Sequence, residues 1–192
     1  MQILKEEIQD RILENAETLF YSLGFQGTSM RELAKKVGIS CSNLYRYFKD
    51  KNDLYNTIMQ PYYSHFSQTL TTFLAHDEDD PGESHHIEMI TRVFMSLIKT
   101  DRRKFVILLE GSEGTCYEVV RSQVIGGIAE RIRLSLPQTI SENGLMINVI
   151  AVNFFNGLLT LIKESAEDDI FQKNMEILMV YHLSGIQKLV EH

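Results

Sequence analysis

The stretch from Thr28 to Phe48, TSMRELAKKVGISCSNLYRYF, restricts the possible folds more than any other part of the chain. Two short helices crossing at a tight turn need three things: a small residue where they meet, a glycine at the turn, and an apolar residue on the second helix facing back. Ala34, Gly38 and Leu44 stand at offsets of 0, +4 and +10 and supply them. Leu33, Val37 and Ile39 complete a small core shared with a preceding helix. On spacing alone, an ordinary helix pair in a bundle fits as well as a helix-turn-helix.

Three features favour the second reading. The solvent face of the second helix carries Cys41, Ser42, Asn43, Arg46 and Tyr47, small or hydrogen-bonding side chains suited to close approach to a groove. Charge is local: Phe25 to Lys51 holds six basic and two acidic residues, whereas the chain as a whole carries −7. From Pro61 to the end there are eleven basic and eighteen acidic residues, so one basic region sits on an otherwise acidic molecule. Ser29, Ser40 and Asp50 are good N-caps for three successive helices, whose free first-turn amides can face phosphate. Ser29 with Glu32 also fits a capping box.

The rest of the chain reads as helix, with three prolines and no strand alternation. Helices are expected at Leu4–Leu23, closed by a left-handed cap at Gly24; from Ser29 to Gly38; from Ser40 to Phe48; and from Asp50 to Leu74 with a bend at Pro61. Further helices are expected at Ile87–Lys99, Arg102–Glu110, Tyr117–Leu134, Leu145–Ser165 and Asp169–Val190. Loops are expected at His76–Ser84, Gly111–Thr115 and Pro137–Gly144. The fold class is therefore all-α with about nine helices. Residues 1–50 form the helix-turn-helix domain and 51–192 a second helical domain. Cys41 and Cys116 make no metal or disulfide pattern, the start lacks signal-peptide character, and apolar runs such as Phe105–Leu109 are too short to cross a bilayer. A cytoplasmic protein without membrane attachment or cofactor is the expectation.

The run GFQGTSMRELAKKVGISCSNLYRYFKDKNDL resembles the N-terminal signature of the TetR family of bacterial regulators. The matching positions are Gly24-Phe25, Thr28-Ser29, Leu33-Ala34, Gly38-Ile39-Ser40, Leu44-Tyr45, Tyr47-Phe48, and Lys51 with Leu54. The resemblance covers about the first sixty residues; beyond them only the architecture agrees. It implies that Thr28, Tyr47 and Lys51 contact phosphates. It places Ser40, Cys41, Ser42, Asn43, Tyr45 and Arg46 in or beside the major groove, with Ser29 at the adjoining helix start. The Cys41 position often holds lysine or another polar residue in the family, and that of Ser42 often glycine, proline or alanine. Tyr45 keeps a second reading, its ring packed under the first helix. Phe48 is core.

The resemblance further implies a homodimer on operator DNA, with a small-molecule effector held in the second domain. Leu145, Val149, Val152, Gly157 and Leu161, with Ile177, Tyr181, Ile186 and Leu189, are candidates for half of an intersubunit four-helix bundle. The alternative is that these stripes pack within one subunit. Phe66, Phe94, Met95, Phe105, Leu108, Tyr117 and Phe154 are candidates to line a partly apolar effector pocket, with Asn153, Asn156 and the Tyr117 hydroxyl as polar anchors. Each aromatic also has a plain core reading. The function implied is a repressor released from a palindromic operator by its effector, with the fourth helix as lever and Pro61 as hinge. The rival reading keeps DNA binding without a ligand switch, as in an architectural, chromosome-associated protein. An enzyme is disfavoured: no catalytic motif is present, and Glu83-Ser-His-His86, which has the Glu-x-x-His spacing of di-metal bundles, lacks a second copy.

Overall fold

The computed structural model describes residues 2–75, 93–136, 142–165 and 168–190. Those residues form helices and turns without a strand. The helices are α1 (Gln2–Gly27), α2 (Met30–Val37), α3 (Cys41–Leu44), α4 (Lys51–Ala75), α5 (93–100), α6 (Arg102–Glu110), α7 (Val120–Ser135), α8 (Gly144–Glu164) and α9 (Asp168–Val190). The expected loop at His76–Ser84, with Glu83 and His86, lies outside the described residues, as do the first residues of the helix expected from Ile87 and most of the Pro137–Gly144 loop. Among the described residues no three metal-ligating side chains cluster.

By internal contacts the chain divides into one unit of Met1–Thr72 with Asp101–Glu118, and another of Phe73–Thr100 with Val119–His192. In the first unit, α1 buries Ile12, Ala16, Leu19 and Phe20. It kinks at Gly24, whose φ of 68° and ψ of 176° belong to a region only glycine occupies. The expected glycine stop is therefore present, but it is an extended corner and not a left-handed helical cap. The corner turns Phe25 inward against Phe20 and Tyr55. The corner also meets the end of α6. A Cβ on Gly24 would lie 3.5 Å from the Gly111 Cα, and the Phe25 amide donates to the Gly111 carbonyl at 2.7 Å. At its other end α6 is capped by Asp101, which accepts from the Lys104 amide at 2.9 Å. Lys104 reaches Glu17 of α1 at 3.3 Å, and carboxylate partners hold its pKa above the usual lysine value despite the opposing effect of burial.

Helices α3 and α7 have limits that differ from the sequence reading. The α-helical part of α3 stops at Leu44, and the chain continues to Phe48 through tighter i→i+3 bonds, Arg46 to Asn43 at 3.1 Å and Tyr47 to Leu44 at 3.0 Å. Helix α7 begins at Val120, not Tyr117, because the Thr115 hydroxyl accepts from the Tyr117 amide at 3.1 Å and holds that stretch as a turn. Helix α4 continues through Pro61 as expected, as one helix from Lys51 to Ala75.

In the second unit α7, α8 and α9 pack together around Ile132, Leu136, Ile147 and Ala151, with Ile186 and Leu189 of α9 against them. Gly157 lets α9 approach: a Cβ there would stand 3.2 Å from a Leu178 methyl. Helix α8 corrects the expectation that no segment could span a bilayer, since by length and composition it could. Its apolar residues Phe155, Leu158, Leu159 and Ile162 are buried, the pattern of a core helix.

Candidate nucleic-acid interface

The candidate surface is built by three local capping devices. The Ser29 hydroxyl accepts from the Glu32 amide at 3.2 Å and starts α2. At the other end Gly38 takes φ 80°, ψ 31°, its amide donates to Lys35, and the Ile39 amide reaches back to Ala34 at 3.0 Å. That pair of bonds is a Schellman stop, and it needs the left-handed residue a glycine provides. Ser40 then starts α3, accepting from the Asn43 amide at 3.1 Å. Asp50 accepts from the Asp53 amide at 2.8 Å and Asp53 from the Lys49 amide at 2.9 Å, so α4 begins in a reciprocal cap. Met30, Leu33, Ala34, Val37, Leu44 and Phe48 are buried beneath. Arg11 of α1 donates to the Val37 carbonyl and ties the end of α2 down.

The side chains that remain outside are those of a reading surface. Ser29, Ser40, Ser42 and Arg46 are exposed, Cys41, Asn43 and Tyr47 half-buried, and Tyr45 is 50% exposed. The exposed cations Arg31, Lys35, Lys36 and Lys49 surround them in sequence. In the sequence these four stand only as part of the local positive charge; the polar positions of Arg31, Lys35 and Lys36 on an amphipathic α2, and of Lys49 just before α4, mark them as surface cations.

Two of the residues expected at phosphates also bond within the chain. Thr28 is 3% exposed, and its hydroxyl donates to the Gly24 carbonyl at 2.8 Å. Lys51 turns inward: its ammonium donates to the carbonyls of Phe25 at 2.7 Å and Thr28 at 2.9 Å, and Nζ lies 4.2 Å from the centre of the Phe25 ring. Burial lowers its pKa from the usual lysine value. A Lys or Thr beside a turn is the pattern of a phosphate contact by sequence; here the carbonyls left free where α1 ends take both groups first.

Residues 12–58 match the family of bacterial regulatory proteins described as the tetR family. The match is confined to the N-terminal helices, so it is that part of the chain that is similar to the family. Two curated relatives that the chain resembles are HTH-type transcriptional regulators. A probable one of Bacillus subtilis is 38% identical over 87 residues, 45% of this chain and 42% of that protein. One of Staphylococcus aureus is 30% identical over 108 residues, 55% of each. The chain thus spans about half the length of the curated relatives it matches. Among solved structures, a TetR-like regulator from Rhodococcus shares the fold at a TM-score of 0.60 and 20% identity, over 94% of this chain and 96% of that one. A TetR-family regulator from Chloroflexus aurantiacus does so at 0.55 and 16%, over 97% and 91%.

The residues expected to line an effector pocket are divided between the two units of the chain. Phe66, Phe105, Leu108 and Tyr117 belong to the first and are buried there, with Phe66 edge-on to Phe105 and Tyr117 against Tyr55 and Tyr63. Phe94, Met95 and Phe154 belong to the second, where Phe94 meets Phe154 edge-on at 6.3 Å and Phe154 meets His182 at 5.1 Å. The supposed polar anchors Asn153 and Asn156 are exposed, and Asn156 accepts from Arg121 at 3.1 Å. Their positions on α8 put them on its outer side, and periodicity alone could not tell that side from a cavity wall.

Proposed function

We propose that this chain is a DNA-binding transcriptional regulator. It acts as a repressor: two copies hold a palindromic operator, and a small molecule binding the second helical unit releases them. The observation that carries the reading is the division of α3 and its following turn. Leu44 and Phe48 are sealed inside, while Ser42, Tyr45 and Arg46 remain outside on a rod short enough to enter a major groove. Phosphate attraction comes from the exposed cations Arg31, Lys35, Lys36 and Lys49, on a molecule otherwise acidic enough to repel DNA.

Dimerisation is supported by apolar side chains that a single copy leaves in water. On α8, Leu145 is 77% exposed; on α9, Ile177 is 58% and Tyr181 74% exposed. The effector acts only through a difference in its affinity for DNA-competent and DNA-incompetent forms. The Phe94–Phe154–His182 contact among α5, α8 and α9 offers an aromatic wall with one polar edge for a partly apolar molecule. The test is selection of bound fragments from genomic DNA at low salt, followed by a screen for compounds that release them. The reading predicts a few sites with two-fold symmetric protection and at least one releasing compound class. Many dispersed sites without release would replace it with the architectural reading, and no retained DNA would end both.

A further inference from the structure

The turn between α1 and α2 is held from two sides. The Phe25 amide is taken by the Gly111 carbonyl, and the Phe25 and Thr28 carbonyls are taken by Lys51 at the first residue of α4. An ammonium has three donors. Two are spent on carbonyls at 2.7 and 2.9 Å, and the remaining side of the group faces the Phe25 ring at 4.2 Å. Lysine lacks the guanidinium's fixed fork, so it can converge on two carbonyls three residues apart. The bonds span 26 and 23 residues of sequence and join the start of α4 to the entrance of α2. With Arg11 fastening the exit of α2 to α1 at Val37, both ends of that helix are tied to long helices by a buried-side cation.

We infer that Lys51 is a positioning residue of the reading head: its ammonium clamps the Phe25–Thr28 turn to the start of α4 and sets how α2 and α3 present to DNA, without itself meeting a phosphate. Loss of the clamp frees two carbonyls and lets the turn swing about Gly24, whose backbone is permissive. Charge-assisted bonds of this kind are worth enough that losing them lowers affinity roughly tenfold or more.

Two measurements test this, and only the first rests on the proposed DNA binding. The first compares wild type with Lys51→Met, which keeps the stem and removes the ammonium, on one selected DNA fragment across a salt series. The expected result is weaker binding by roughly tenfold at every salt concentration, with an unchanged slope of log affinity against log salt. A slope reduced by about one would make Lys51 a phosphate ligand and overturn the inference. Wild-type affinity for the folded fraction would make the clamp merely structural and overturn it too. The second follows exchange of lysine ammonium protons by NMR in the wild-type chain without DNA. Lys51 is expected to exchange at least about tenfold more slowly than Lys35, Lys36 and Lys49. Equal exchange would overturn the clamp even if the variant failed to fold, or if no DNA were ever bound.

Discussion

Gly38 shows how one backbone angle sets the surface. At φ 80° it ends α2 and aims the chain into α3, and a Cβ there would meet nothing within 4 Å. Gly38→Ala therefore isolates backbone strain from crowding and should cost about 1–2 kcal/mol, read as a lowered denaturant midpoint. Arg46 has no such structural duty. Arg46→Ala should leave stability within about 0.5 kcal/mol and change which bases the head prefers, each altered contact shifting discrimination by about 1–3 kcal/mol in a competition selection. Tyr55 and Tyr62 carry phenols whose pKa is raised, chiefly by burial. Their native forms keep protons that the unfolded chain loses near pH 10. Stability should then be unaffected by these groups below that pH and fall as pH rises above it, with Tyr62→Phe making the fall shallower in urea titrations.

At the level of elements, the head depends on short helices that tertiary packing must hold, since four residues cannot sustain an isolated helix. Ser40→Ala removes the cap of α3 and should cost about 1 kcal/mol, with faster hydrogen exchange at the Asn43 amide. The crossing of α1 and α6 is a second joint. A Cβ on Gly111 would stand 3.1 Å from the Ile107 carbonyl and 3.2 Å from that of Phe20, both backbone. Gly111→Ala must then part the two helices, a loss of roughly 1–3 kcal/mol seen in thermal unfolding. Caps and stops were legible because each is a contact within four residues. The true end of α3 and the late start of α7 were not, because hydroxyl and i→i+3 bonds competed with a helical pattern that periodicity alone could not fault.

For the whole molecule, the question is what covers α8 and α9. Ile186 and Leu189 pack within the chain, whereas Leu145, Ile177 and Tyr181 stay exposed, and the proposed dimer would cover these three. Ile177→Asp with Tyr181→Asp should leave the single chain folded but shift sedimentation from dimer to monomer, and weaken operator binding as the second half-site contact is lost.

Residue order alone was enough for the all-helical class, the three N-caps, the glycine turn and the apolar spine of the head, since these follow from interactions reaching at most a few positions along the chain. It could not show the internal bonds of Thr28 and Lys51, nor separate core aromatics from cavity walls or outward asparagines from inward ones. Those depend on partners such as the Phe25 carbonyl, 26 residues from Lys51, brought near only when the helices pack. A cation goes to whichever acceptor the fold leaves unsatisfied first, and that acceptor exists only in three dimensions.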